Sequence, residues 1–442
     1  MKTPEVSATP HLARPALSTN PPTGWQHRYS VVAMCFLATF ICYIDRVNIS
    51  VAIIPMSAEY GWDKITQGYV LSSFYIGYIL VMILGGRLAD KFGGALILGS
   101  GVLLWSLFTL VTPGAAALGL SVLIMARIGM GMGEAVTFPS VYNLVTRWVP
   151  AQDRSKAIAL NASGIPVGTV FALIATPIIV AALGWEWAFY LFGAVGVVWY
   201  GAWLYIARGT PQEHPRVSAE ELAYIEANAS ASGKATKLPP WKTLLTNRPL
   251  WAITVAHFAN NWTLYVVLSW LPIYVNEGLG VDFKSVGYIA MLPHIASLLS
   301  LNIIGNLTDR ILRRGYDVTR VRKTMQTIAF GGLAACLIGI TLVDTLWAAI
   351  GLMCLGKVLG AFGIGGHSIN HLDIGPKHAG TLMGITNTAG TLPGIFGVAI
   401  TGFILETTGS WDMVWGVTAG VTLFGMVVYP VSYTHLTLPT KA

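Results

Sequence analysis

Residues 85–94 read GGRLADKFGG, and 219 positions after Gly86 the pattern returns in residues 305–314, GNLTDRILRR. Each stretch closes an apolar run with Gly-x-x-x-Asp and a cation: Gly86, Asp90 and Lys91, then Gly305, Asp309 and Arg310. Two further echoes follow in the same order. Asn161-Ala-Ser-Gly164 with Gly168 recurs as Asn387-Thr-Ala-Gly390 with Gly394, and Trp185 recurs as Trp411, both at an offset of 226. Glycine is common in apolar helices, so one shared pattern carries little weight. Three in one order at nearly constant offset mark a duplicated chain, an architecture in which a site between two halves faces either side in turn.

Composition says what the halves are made of. The chain has 442 residues, 54% hydrophobic and 11% charged, whereas a soluble domain carries about 25% charged residues. Twelve apolar runs can be traced, at 31–54, 68–89, 95–112, 117–145, 157–182, 187–207, 250–275, 285–306, 326–343, 346–369, 378–405 and 413–429. A spanning helix takes ~20 residues, so twelve use ~240 and leave roughly 200 for loops and tails. The expected fold is an all-α polytopic membrane protein, with 12 transmembrane helices in two pseudo-symmetric six-helix bundles, 29–207 and 250–429.

The remaining segments are a polar, Pro-rich tail at 1–28 and a linker at 208–249 with six basic and four acidic residues. The tail lacks the apolar core and cleavage site of a signal peptide. Within the linker Ser218-Ala-Glu-Glu221 is a capping box opening a short amphipathic helix, expected on the cytoplasmic membrane surface. The last apolar run, Val414 to Tyr429, has 16 residues, short for a span. Val431–Ala442, VSYTHLTLPTKA, resembles the in-frame translation of a transposon adapter. Residues 430–442 are therefore read as a non-native tail and helix 12 as truncated.

The net charge of +7 raises the possibility of a nucleic-acid partner, which its placement removes. Of the cations outside the apolar runs, 21 lie in the tails and every second loop, against two, Lys64 and Lys284, in the opposite loops. That asymmetry puts both termini on the cytoplasmic side by the positive-inside rule. All four cysteines, Cys35, Cys42, Cys336 and Cys354, fall in apolar helices, with neither disulfide nor zinc spacing. Gly129-x-Gly131-x-Gly133 follows no strand, so it is a helix-packing stripe and not a dinucleotide loop.

With these residues in view the whole chain resembles a major facilitator superfamily transporter, through the two loop motifs. More narrowly it resembles the anion:cation symporter family of bacterial sugar-acid transporters and animal sialin, vesicular glutamate and phosphate transporters. CYIDRVNISVA (42–52) is similar to the bacterial members; NNWTLYVVLSWLPIYV (260–275) and SINHLDIGPKHAGTLMGITNT (368–388) are similar to the sialin-type members. Asn260 stands where the vesicular glutamate branch carries arginine, and Leu71 where it carries histidine, departures that argue against glutamate as substrate.

Apart from Arg87 at the end of the second run, five charges lie inside the apolar runs: Asp45, Arg46, Arg127, Glu134 and Lys357. At ~2.5–3.5 kcal/mol each, five unrelieved charges cost on the order of 12–18 kcal/mol, more than marginal stability tolerates. At 1.5 Å per residue, Arg46 lies roughly 23 Å and Glu134 roughly 20 Å from the cytoplasmic side, one shared depth near the midplane. Arg127 and Glu134 share a face but stand ~10 Å apart along the axis. Arg46 is the expected anion clamp, since a guanidinium holds a carboxylate bidentately and stays charged. Glu134 is the expected proton-coupling group, with Asp45 as a second acid; the resemblance implies the same roles at Arg46, Glu134 and Asp45. The bland alternative is a static Arg46–Glu134 or Asp45–Arg127 pair bracing helices 1 and 4. Lys357 departs from the family; by pseudo-symmetry it is the counterpart of Arg127 and a candidate second anion contact.

Tyr43, Tyr75, Tyr78, Asn161, Asn260, Asn261, Tyr265 and Asn387 are candidates to line the cavity, against a packing role for each. Asp90, Asp309 and Arg310 read as gating or structural residues, His371 and Asp373 as capping or gating, and His257, His294 and His367 as scattered packing residues. The expectation is a secondary active transporter, not an enzyme: proton-coupled symport of an organic anion, a sugar acid or other carboxylate, by alternating access. The alternatives are a phosphate or other anion carrier on the same frame and, more remotely, a non-transporting membrane sensor. No cofactor beyond the proton gradient is expected. The partners are a small anion and the bilayer of a cell membrane, with the protein a monomer and no nucleic acid bound.

Overall fold

A computed structural model describes residues 22–228, 246–374 and 379–432. The first half comprises six spans: His27–Tyr60, Lys64–Phe92, Gly94–Leu118, Leu120–Glu134 continued by Thr137–Trp148, Arg154–Leu183 and Trp185–Ile206. The second comprises Arg248–Ile273, Phe283–Ala290 continued by Leu292–Arg313, Val318–Ile340, Leu346–Gly360, Ala379–Thr408 and Trp411–Ser432. Among the described residues eleven spans are long and apolar enough to cross a membrane. The seventh, Arg248–Ile273, has 26 residues and falls outside that set because His257, Asn260, Asn261 and Thr263 interrupt it. Polarity in the middle of a span is what a wet cavity wall requires.

The twelfth span is longer than its apolar run. Trp411–Ser432 is helical over 22 residues, with Trp411–Met413 and Pro430–Ser432 continuing the helix beyond the apolar core. The proposed non-native tail falls almost wholly outside the described residues.

Three spans break where their chemistry demands it. Pro139 has no N–H to offer the carbonyl of Ala135, and the fourth span interrupts at Ala135–Val136, leaving Glu134 as the last residue of its first helix. Pro293 opens the second helix of the eighth span in the same way. The tenth span gives way after Gly360 to short 3-10 turns at Ala361–Ile364 and His367–Ile369, around Gly366 at φ −96° and ψ −114°.

The first span packs along the fifth, and the seventh along the eleventh, while the second lies between the fourth of its own half and the eleventh of the other. At the face opposite the termini the halves are sealed. Lys64 Nζ reaches Glu277 Oε2 at 2.6 Å, and Lys64 N donates to Glu406 Oε2 at 2.8 Å. Beside it, hydrogen bonding from Thr66 holds the Asp63 carboxyl below its usual value. A Cβ on Gly287 in the eighth span would collide with the Leu173 carbonyl of the fifth. Gly287→Ala is therefore expected to part the halves at this face. A cysteine placed at Thr401, 3% exposed here, should then react with a water-soluble maleimide roughly tenfold faster, as a residue moves from buried to open. Unchanged labelling would show that the seal does not depend on this contact.

The linker helix Ala219–Ala227 is capped as expected, Ser218 Oγ accepting from Glu221 N at 3.1 Å. The carboxylate of Glu221 goes elsewhere. It accepts from His27 N at 3.0 Å and Arg28 N at 2.9 Å, capping the first span. Glu221, Tyr224 and Ile225 are buried, and the Arg28 guanidinium lies 4.8 Å from the Tyr224 ring centre. The inner face of this helix packs on the protein. Next to it His27 and His214 stack with ring centres 3.9 Å apart. Burial, His27 and the charges of Arg208 and Arg216 push the His214 imidazole below its usual value.

Candidate functional site

Arg46 and Cys42 of the first span and Glu134 of the fourth converge in the first half. Arg46 donates to Glu134 Oε2 twice, from Nη2 at 2.8 Å and Nε at 3.1 Å, with Arg46 7% and Glu134 0% exposed. The Cys42 thiol, one turn before Arg46, donates to the same oxygen at 3.1 Å. Glu134 Oε1 has no protein partner, so half of the carboxylate stays available to a proton, a water or a ligand. The equal depth read from residue spacing is realised as a direct ion pair between the first and fourth spans.

Asp45, pointing about 100° away from Arg46 around the helix, takes a different partner. Its Oδ2 accepts from Trp105 Nε1 of the third span at 3.1 Å, and its Oδ1 has none. Asn48, one turn on, has neither amide atom hydrogen-bonded and is 0% exposed. Of the two bracing pairs weighed as the alternative, Arg46–Glu134 is formed and Asp45–Arg127 is not. Arg127 sits at 1% exposure with Nη1 on Met130 Sδ at 3.1 Å and Nε without a partner. No carboxylate pairs with it among the described residues. The Glu134 and Asp45 carboxylates act on its charge from beyond ion-pair distance.

Aromatic rings close the site. Arg46 lies 4.7, 4.8 and 5.1 Å from the ring centres of Tyr43, Phe74 and Tyr78. Tyr75 meets Tyr265 of the seventh span at 4.5 Å between ring centres, joining the halves at this level. Asn387 Nδ2 of the eleventh span donates to Met82 Sδ of the second at 3.1 Å.

Other expected residues stand apart. Asn161 Oδ1 accepts from Thr39 at 2.9 Å, a tie between the first and fifth spans. Asn260 donates to Asn261 at 3.2 Å, which donates to the Gly390 carbonyl at 2.8 Å, joining spans seven and eleven. Lys357 lines a small pocket with Thr263, Val267, Pro293 and Met353, inside the second half and away from Arg46 and Glu134. His257, His367 and His371 are not scattered: the latter two rings lie 5.9 and 6.5 Å from His257. They are tied to Thr386 and Gln326, and no metal-holding group exists among the described residues. His294 stands apart from them. The side chain of Asp373 lies outside the described residues.

The two loop motifs differ. Asp90 accepts from Asn143 Nδ2 at 3.0 Å, while Asn143 Oδ1 accepts from Gly94 N at 3.1 Å, pinning the turn to the fourth span. Asp309 and Arg310 are exposed and form no ion pair among the described residues. Offsets of 219 and 226 from Asn143 fall on Phe362 and Ile369, which cannot replace its amide. Cys42, Phe74, Trp105 and Asn143 were missed by sequence reasoning. Only Cys42, spaced i to i+4 from Arg46, carried a signal.

Two six-span halves with charge buried between helices define a membrane transporter and not an enzyme. The chain belongs to the Major Facilitator Superfamily, whose profile matches residues 35–398, and within it to the anion:cation symporter family. It is 41% identical over 408 residues to an ascorbate transporter, chloroplastic, of Arabidopsis thaliana, covering 92% of this chain and 75% of that one. It is 34% identical over 455 residues to sialin of Homo sapiens, covering 95% and 92%. The crystal structure of a D-xylose–proton symporter superposes with a TM-score of 0.74 at 15% identity, covering 93% and 98%, a likeness of fold.

Proposed function

We propose that this chain carries an organic anion, a sugar acid or another carboxylate, in symport with protons by alternating access. The carrying observation is the fully buried Arg46–Glu134 pair, 2.8 Å long, beside an Arg127 with no acid partner. A substrate carboxylate entering the site competes with Glu134 for the Arg46 guanidinium, and a bidentate carboxylate–guanidinium contact is a strong one. Glu134, released, binds a proton, because an isolated carboxylate in a dry site favours its neutral form. Anion and proton are thereby loaded together, and Arg127, which no carboxylate contacts directly among the described residues, is met by the same ligand. Asp45, with one free oxygen, is the second proton site of this reading.

The relatives named as an ascorbate transporter and as sialin support an anionic load. The expected setting is a cell membrane with both termini cytoplasmic, following the basic loops; the chloroplast relative makes a plastid membrane the other setting. The protein acts as a monomer, with the proton gradient as its only driving force. The test uses proteoliposomes with a trapped pH dye, given sugar acids, dicarboxylates, acidic amino acids and phosphate in turn. Internal acidification on adding a carboxylate is the expected result. Acidification by phosphate alone would replace the organic anion with an inorganic one, and uptake of a carboxylate without acidification would remove the proton from the mechanism.

A further inference from the structure

We propose that Phe74 is a positioning residue for both buried guanidinium groups, one ring serving Arg46 and Arg127 as a common cation–π partner. The inference rests on the anion-transport reading given above. Arg46 lies 4.8 Å and Arg127 5.5 Å from the same ring centre, both inside the ~6 Å range over which the ring quadrupole attracts a cation. Phe74 is 1% exposed, so neither water nor lipid competes for the ring.

The ring is held in place from three sides. A Cβ on Gly131 would collide with the Phe74 carbonyl, and one on Gly77 with the Ile128 carbonyl, so the second and fourth spans cross in backbone contact. Gly131 is one turn from Arg127, which ties the ring to that arginine. Tyr75 meets Phe74 edge-on at 5.2 Å and 86°, and Tyr78 lies 5.9 Å away.

The two arginines use the ring differently. Arg46 has Glu134 as counter-ion, and when the carboxylate is protonated or displaced the aromatic walls remain to fix the guanidinium. Arg127 has no carboxylate in contact among the described residues and touches Met130 Sδ and this ring. Phe74 thus holds the second positive charge at a set position beside the first while no anion is bound. An incoming anion meets two fixed cations instead of two mobile ones, which lowers the ordering cost of binding.

Fluorinated phenylalanines at position 74, in the full chain, separate this role from packing. Each fluorine withdraws charge from the ring face at nearly constant volume. With the carboxylate that acidifies the native vesicles, KM is expected to rise stepwise from one to three fluorines, by about tenfold at the third. Vmax and the thermal midpoint should hold. A flat KM across the series, or a KM that follows loss of folded protein, overturns the proposal.

A second readout is independent of transport. The Arg46 and Arg127 Nε–H resonances, displaced by ring current, are expected to move together in Phe74→Leu. If they stay in place the proposal is overturned. If they move while no anion is carried, the positioning stands and it is the transport reading that fails.

Discussion

Glu134→Gln is expected to abolish accumulation of the anion against its gradient while one-for-one anion exchange continues. Glutamine keeps the shape of the side chain, and its carbonyl oxygen can still accept from Arg46 and Cys42, which now meet Glu134 Oε2 at 2.8–3.1 Å. It cannot bind or release a proton. Arg46 then faces a neutral oxygen in place of a charged one, so the substrate carboxylate displaces it more easily and no proton follows. Uptake driven by a pH gradient should fall by roughly tenfold or more, each decade being 1.4 kcal/mol of driving force, while counterflow of labelled anion stays near native. Accumulation at the native level in this variant would remove Glu134 from the coupling step.

Stability and transport should separate in a double-mutant cycle on the same pair. Arg46→Met leaves Glu134, 0% exposed, as an unpaired buried acid, and Glu134→Leu leaves Arg46 as an unpaired buried cation. Each single variant is expected to lose about 3–5 kcal/mol, because removing one partner exposes the full desolvation cost of the other. The double variant replaces both with apolar groups and should recover most of that loss, since a buried ion pair and a packed apolar pair are often of similar stability. Thermal midpoints in detergent measure the cycle. Transport should be absent in all three. A double variant that is stable and still carries the anion would mean that Arg46 and Glu134 only brace the first span against the fourth.

The arrangement of the halves was legible because it depends on local pattern: apolar runs of membrane length, and motifs repeated at 219 and 226 positions. The shared depth of Arg46 and Glu134 was legible too, since helical rise converts residue number into distance. What the chain did not disclose is which side chain of a third helix fills the space between two others. Trp105 on Asp45 and Phe74 between two arginines depend on helix rotation and on backbone contacts at Gly77 and Gly131, which no single-helix pattern encodes. In the second half Lys357, aligned with Arg127 by pseudo-symmetry, lines a pocket among the seventh to tenth spans.

The carboxylate that caps the first span belongs to a residue 194 positions further along the chain. During synthesis the amides of His27 and Arg28 therefore wait for their partner until all six spans of the first half and the start of the linker have been made. A chain stopped after Ile206 would carry every helix of that bundle and still lack the group that closes its beginning. The first half becomes a finished unit only once Glu221 has emerged, so its last step of assembly coincides with the start of the connection to the second.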